Sequence, residues 1–325
     1  MIALSKLRQF ALTALIACAF AASPAGAQSY PTGPIRIVVG FGPGSTADAL
    51  ARLVGNHMAT ALGQPVVIEN RQGNSSMLAA NAVARADKDG YTLFMATIAQ
   101  TLNPIQTGSS FNLARNMEPI ALLGVVPNVL VAHPSVPANN VKELIELAKR
   151  DPNSLTFGTS GNGTASHLAT ELFNQKAGTN IVAVHYQGGA AQGMSDLLTG
   201  RITLMFNVAA PLVEQVRDGK LKAIAVGQPH RTSVMPDVLT MDEAGMPGFD
   251  VGIWIGLLAP AGTAPDIVKK LSVVANEALK IDAIKTAMKA QGIDALGSTP
   301  QEFSDFIRKD IEKWTSVVST AGLKQ

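Results

Sequence analysis

The sequence predicts an α/β protein of two domains, each built around a mostly parallel sheet. Three observations carry this. First, β-branched apolar runs alternate with segments of helical period, the order that builds parallel strands joined by crossover helices. Second, two such runs end in charge-free loops rich in glycine and hydroxyls, each opening into an amphipathic helix. They are Gly40-Phe41-Gly42-Pro43-Gly44-Ser45-Thr46-Ala47-Asp48 and Gly158-Thr159-Ser160-Gly161-Asn162-Gly163-Thr164-Ala165-Ser166-His167. Third, breaks at Pro127-Asn128 and Gly227-Gln228-Pro229-His230 cut out a middle segment, and 325 residues with 47% apolar content supply enough chain for two full cores.

The chain opens on a targeting segment. Lys6 and Arg8 form a basic region, Phe10 to Phe20 an apolar stretch too short to span a bilayer, and Ala25-Gly26-Ala27 a small-x-small cleavage site. Residues 1–27 are therefore a signal peptide, and the mature chain is expected in the periplasm. Leu15-Ile16-Ala17-Cys18 also passes as a lipoprotein box that would anchor the chain by lipid on Cys18, but the better cleavage site lies downstream. Cys18 is the sole cysteine, so an ordinary mature chain has no disulfide, thiolate metal site or cysteine nucleophile. Without Lys6 and Arg8 the acidic and basic side chains balance, and no basic stripe points to nucleic acid.

The elements follow in order. In the first domain a strand at Ile35–Val39 leads to a helix from Asp48 to Leu62, which Gly63 stops. Next come a strand at Pro65–Glu69, a helix at Met77–Ala86 and a strand at Tyr91–Ala96. Thr97 to Pro119 reads as a long polar connection before an apolar strand at Ile120–Val126. The second domain, residues 128–229, alternates strands at Val129–Ala132, Leu155–Phe157, Val182–Tyr186, Ile202–Phe206 and Leu221–Val226 with helices at Val141–Lys149, Ala165–Gln175, Ala191–Leu198 and Pro211–Arg217.

The tail returns to helices. Thr263-Ala264-Pro265-Asp266 has the pattern of a cap, and Thr299-Pro300-Gln301-Glu302 that of a capping box followed by an apolar stripe through Phe303, Ile307, Trp314 and Val318. These helices need a sheet to cover, and the first domain has room. Residues 28–127 and 230–325 are thus expected to form one lobe and residues 128–229 the other, with two crossings between them and a ligand in the cleft.

Both glycine loops fall at carboxyl ends of strands, where open α/β sheets bind ligands. Glycine permits backbone angles closed to other residues, and the first turn of the following helix offers unpaired N–H groups at its positive end, so each loop is an anion site. Neither loop holds a Lys or Arg, which suggests a carboxylate gripped by backbone amides and hydroxyls. Charge-assisted hydrogen bonds contribute about 1.5–3 kcal/mol each, so four or five support about micromolar binding after association costs.

Individual residues carry two meanings. Ser45 and Asp48 form a near capping box, while Ser45 also stands where a ligand would bind. Phe41 is either core or a wall of the site, and His167, one helical turn past the second loop, either packs or touches ligand. Thr97 and Asn207 each end a strand. Arg71 could reach a distal carboxylate or pair with Glu69.

Catalysis finds no support. Gly158-Thr159-Ser160-Gly161-Asn162 lacks the final glycine of a nucleophile elbow, and Gly161-x-Gly163 lacks the third glycine of a dinucleotide fingerprint. No Gly-Lys-Ser/Thr follows either loop, and no His-Glu-x-x-His or cysteine cluster suggests a metal. Binding without chemistry, cofactor or metal is the expectation.

Several blocks then resemble a known family, the extracytoplasmic binding proteins of tripartite tricarboxylate transporters, or Bordetella uptake gene (Bug) family. Phe41-Gly42-Pro43-Gly44-Ser45-Thr46-Ala47-Asp48 is similar to its F-x-P-G-G-x-x-D signature, and Pro65 to Arg71 to its second strand. Asp89-Gly90-Tyr91-Thr92-Leu93, Val126 to Val131, Gly161-Asn162-Gly163-Thr164 with His167, and Leu257 to Thr263 match further blocks, in order and across the mature chain.

The resemblance implies a type II periplasmic binding protein fold, two α/β lobes with a two-strand hinge and a central ligand cleft. It implies a carboxylate gripped by Ser45, Thr46 and Ala47 on one lobe and by Ser160, Gly161, Asn162, Gly163 and Thr164 on the other, with Asn207 facing the cleft. Three departures leave the distal pocket open: Ser45 replaces a second glycine, Gln72-Gly73-Asn74-Ser75-Ser76 replaces P-G-A-G-G, and His185 replaces a proline.

The expected function is capture of a small mono- or dicarboxylate for delivery to the membrane permease subunits of such a transporter. An alternative is a periplasmic sensing subunit for a membrane sensor kinase. An exported hydrolase is the remote third reading.

Overall fold

The computed structural model describes residues 30–187 and 189–323, so the expected signal peptide, its expected cleavage site and Cys18 lie outside the described residues. Along the chain run β1 (Ile35–Val39), α1 (Thr46–Leu62), β2 (Val66–Asn70), α2 (Met77–Ala84), β3 (Thr92–Thr97), α3 (Ala99–Thr107), α4 (Leu113–Asn116) and β4 (Met117–Val126). The middle of the chain forms β5 (Asn128–Ala132), α5 (Val141–Arg150), β6 (Thr156–Thr159), α6 (Ala165–Ala177), β7 (Val182–His185), α7 (Ala190–Leu198), β8 (Leu204–Val208), a 3-10 turn (Ala210–Leu212), α8 (Val213–Arg217) and β9 (Lys222–Val226). The remainder adds β10 (Ile253–Pro260), α9 (Pro265–Ala278), α10 (Asp282–Ala290), β11 (Asp294–Ala295) and α11 (Pro300–Thr320).

Two sheets result, one of six strands in the order β11-β4-β10-β3-β1-β2 and one of five in the order β7-β6-β8-β5-β9. β1 is parallel to β2 and β3, and β6 to β7 and β8. The sheets are nevertheless mixed rather than mostly parallel. β10 runs antiparallel between β3 and β4, and β5 antiparallel between β8 and β9. The cause is the chain path: each of these strands arrives from the other sheet and enters against the local direction.

The two crossings lie side by side. The Gly227 amide donates to the Asn128 carbonyl at 2.8 Å, the Val251 amide to the Gly227 carbonyl at 2.8 Å, and the Asn128 side-chain amide to the Val251 carbonyl at 2.8 Å. A two-strand connection with its own hydrogen bonds can bend while keeping the lobes in register, the geometry of hinge closure.

Two segments depart from the sequence pattern. The polar connection after Thr97 contains α3, whose polar face is buried: Gln100 is 1% and Thr101 2% exposed. Gln100 belongs inside because its Oε1 accepts the Thr97 amide at 2.8 Å. β10 has no periodic signature, because a strand buried on both faces shows an unbroken apolar run. Trp254 and Ile255 are each 1% exposed, Leu257 and Leu258 fully buried.

Capping divides the two tail helices. At α11 the Thr299 hydroxyl accepts the Glu302 amide at 3.2 Å and Glu302 accepts the Thr299 amide at 2.8 Å, a complete capping box. At α9 the cap residue is Ala264, and Thr263 turns away to donate its hydroxyl to the Pro260 carbonyl at 2.8 Å. α9 and α11 both pack on β4, and α11 also reaches α3 and, in the other lobe, α6. One continuous apolar cluster joins Phe94, Trp254 and Trp314 to Phe157, Phe173 and Phe206.

The segment before α2 stores strain. Asn74, Ser75 and Ser76 all take left-handed angles, φ 46, 50 and 70°, and the buried Ser76 hydroxyl has no partner among the described residues. Left-handed backbone costs an L-residue roughly 1–2 kcal/mol that glycine avoids. Ser76→Gly is therefore expected to raise stability by about 1 kcal/mol, seen as a higher urea midpoint at unchanged m-value. A lower midpoint would show that the hydroxyl's packing outweighs the strain.

Candidate functional site

Between the sheets lies a cleft of about 310 Å³. Its first wall starts where β1 ends. Gly40 must lack a side chain, because a Cβ there would fall 1.6 Å from the Ser76 hydroxyl and 2.9 Å from the Ser76 backbone. The chain then turns through Pro43 and Gly44, the latter at φ 82°, into α1.

Asp48 fixes that turn. Its buried carboxylate accepts the Gly44 amide at 2.9 Å, the Asn70 amide at 2.8 Å, and two bonds from Arg52 at 2.9 and 3.0 Å. Asn70 also donates to the Phe41 carbonyl at 3.0 Å, tying the loop to β2. Burial by itself would raise the Asp48 carboxyl, yet the bonds from Arg52, Gly44 and Asn70 outweigh it and hold the group below its ordinary 3.8. The Arg52 guanidinium is thus spent on the scaffold.

What remains for a ligand is a set of neutral donors. The Ser45 hydroxyl accepts the Asp48 amide at 3.3 Å and keeps its own proton to donate. Among the described residues, the Thr46 and Ala47 amides have no acceptor, and both residues line the cleft with Phe41, Ser45 and Thr97. The Thr97 hydroxyl accepts the Ala99 amide at 3.2 Å and likewise keeps its proton. These are first-turn amides at the positive end of a 17-residue helix, a position that favours an anion.

Five of the candidate residues, Phe41, Ser45, Thr46, Ala47 and Thr97, therefore come together in one wall. The opposite wall comes from Val208 and Ala210 at the end of β8. Asn207 pairs opposite Val129, and strand alternation turns its side chain to the other face from Val208; its Oδ1 accepts the Val208 amide at 2.9 Å. Gln291 and Gly292, which no local motif marks, enter the cleft from the end of α10. Gly292 sits at φ 70°, and a Cβ there would stand 3.1 Å from the Ala210 methyl across the cleft, so the two lobes meet at this point.

The second glycine loop lies apart from this lining and contacts the first lobe elsewhere. Its Gly163 carbonyl accepts the Gln106 side-chain amide from α3 at 2.6 Å. Inside the loop the Thr164 hydroxyl donates to the Gly161 carbonyl at 2.7 Å, and the Ser160 amide donates to the Ser166 hydroxyl at 2.9 Å. The exposed Asn162 sits at its tip. The Ala165 and Ser166 amides, like those of Thr46 and Ala47, have no acceptor among the described residues.

His167 is 5% exposed and holds the loop from beneath, its Nδ1 accepting the Gly163 amide at 3.0 Å while Nε2 faces Glu171 at 3.5 Å. His185 packs edge-on against it with ring centroids 4.4 Å apart, and bonds the Thr159 hydroxyl at 2.8 Å. Partial desolvation, helped by the neighbouring His167, lowers the His185 pKa. A histidine here thus replaces the family's proline with a hydrogen-bonded prop. Arg71 is exposed and absent from the lining, and Glu69 pairs with Arg36 at 3.2 Å.

Among the described residues no group of three or more His, Cys, Asp or Glu stands close enough to hold a metal ion, and no helix is long and apolar enough to cross a membrane. The residues that line the cleft are hydroxyls, a neutral amide and apolar side chains, an arrangement of binding groups.

Comparison with known proteins agrees. Residues 50–323 match the model of the tripartite tricarboxylate transporter family receptor. Protein BugT of Bordetella pertussis is 34% identical over 315 residues, covering 95% of each chain. Among solved structures, MatC of Rhodopseudomonas palustris with bound malate is 30% identical with a TM-score of 0.65, covering 89% of this chain and all of its own. An R. palustris protein solved with adipate is 32% identical with a TM-score of 0.67, covering 90% of this chain and 98% of its own. The hydrolase reading falls with these matches. The chain belongs to the tripartite tricarboxylate transporter receptor family and is a solute-binding protein, not an enzyme.

Proposed function

We propose that the protein captures a small organic carboxylate in the periplasm and delivers it to the permease subunits of a tripartite tricarboxylate-type transporter. The observation that carries this is the convergence of the unpaired Thr46 and Ala47 amides with the Ser45, Thr46 and Thr97 hydroxyls on one cleft wall. Such a set matches a carboxylate, whose oxygens accept several donors at once. The relatives solved with malate and adipate support the same ligand class.

The second loop contributes the other half of the grip when the lobes close further, with Ser160 to Thr164 and the Ala165 and Ser166 amides brought toward the ligand. Closure is then the signal a membrane partner reads.

A carboxylic acid from a broad panel is expected to raise the melting temperature of ligand-stripped protein, while its amide analogue leaves it unchanged. A panel that gives neither a shift nor calorimetric heat ends this reading. Co-purification with the permease, rather than with a membrane sensor kinase, tests the delivery step.

A further inference from the structure

Resting on the cleft as a carboxylate site, we propose that the ligand carries a single carboxylate on an uncharged, mainly hydrocarbon body. The donors of the first wall at Ser45, Thr46, Ala47 and Thr97, joined on closure by those of the second loop as the other half of the same grip, account for one anionic group. The rest of the lining is Phe41, Val126, Val208, Ala210, Ile253 and Ile255, a continuous apolar surface. The only further polar side chain in the lining is the neutral Gln291.

The cations nearest in sequence to the first loop do not line the cleft, and the exposed Arg71 is outside it as well. Arg52 lies on Asp48 and Arg36 on Glu69. Lys285 and Lys289 open into a separate depression with His230 and Arg231, and no Lys, Arg or His is among the residues lining the cleft. The helix ends add to the asymmetry. The positive end of α1 meets the cleft at Thr46, whereas the nine-residue α10 presents its negative, C-terminal end at Gln291 and Gly292. A second carboxylate would thus be buried against hydrocarbon and a negative helix end, without a cation to pair it, which is strongly disfavoured. An apolar tail gains from that same surface. Gln291 can bond one neutral polar group on the tail.

This departs from the relatives solved with the diacids malate and adipate. Titration calorimetry on ligand-stripped protein at about pH 7.5, where all carboxyls are ionised, tests it with matched pairs: butyrate and succinate, hexanoate and adipate, benzoate and terephthalate, with the three monoacid amides as controls. In the tightest-binding pair the monoacid is expected to bind at least about tenfold more tightly than its diacid. A diacid within about tenfold of its monoacid, or tighter, overturns the single-carboxylate inference and leaves the carboxylate site standing. Amides that bind as well as their acids, or no heat from any acid, overturn the carboxylate site and this inference with it.

Discussion

Asp48→Ala is expected to destabilise the protein by about 2–4 kcal/mol and to weaken carboxylate binding by about tenfold or more. The side chain is 3% exposed and accepts bonds from three residues. Removing it leaves the Gly44 amide without its acceptor and frees Asn70 from one of the two oxygens it holds. Arg52 is half exposed and keeps water, so the loss stays below that of a fully buried ion pair. Because the same carboxylate sets the turn that aims the Thr46 and Ala47 amides, stability and affinity fall together. Urea unfolding and calorimetry would measure both, and a loss under about 1 kcal/mol with unchanged affinity would show that the loop holds its shape without Asp48.

Asp48→Asn isolates the charge. The folded carboxyl titrates below its ordinary 3.8, so the unfolded chain takes up the proton first as pH falls. The contribution of the charge is therefore present above pH 3.8 and disappears as pH drops through the folded value. The gap in stability between wild type and Asp48→Asn should be full at neutral pH and close in acid. A gap independent of pH would assign the effect to shape alone.

Gly161→Val should abolish carboxylate binding, with affinity lowered by about a hundredfold or more while far-UV circular dichroism stays native. The effect comes from the backbone rather than from a clash. Gly161 sits at φ 130°, outside the range of a β-branched residue, although a Cβ there would meet only the Thr164 methyl at 3.5 Å. Relief of that strain, of order 1–3 kcal/mol, means reshaping the loop that Thr164 and His167 hold in place. Unchanged affinity would take the second loop out of the site.

Much of this was legible along the chain. β1 and the entry to α1 follow from Ile35–Val39, the glycines and the Ser45 cap, all local signals, and five of the candidate residues do share one cleft wall. His167 was ambiguous for a physical reason: the same ring can face a ligand or accept an amide from its own loop, and only the position of the Gly163 amide decides. Asn207 stands near the end of β8, where strand parity, a matter of register, turns its side chain away from Val208. α3 is hidden from periodicity because its buried face carries Gln100 and Thr101, residue types that count as solvent-facing.

By itself the sequence determined the two glycine loops, their freedom from charge and the helix starts that follow them, because these depend on neighbours within a few residues. It also carried enough family blocks to define the fold class. Only the tertiary structure decided what stands opposite the first loop. β10 slots antiparallel between β3 and β4 and carries Ile253 and Ile255 into the cleft, and the end of α10 brings Gln291 and Gly292. These residues lie more than 200 positions from Ser45, and their place is fixed by strand register and core packing, which no local pattern encodes. The anion end of the proposed site is thus written in the loops, and its apolar remainder is set by the assembly of the sheets.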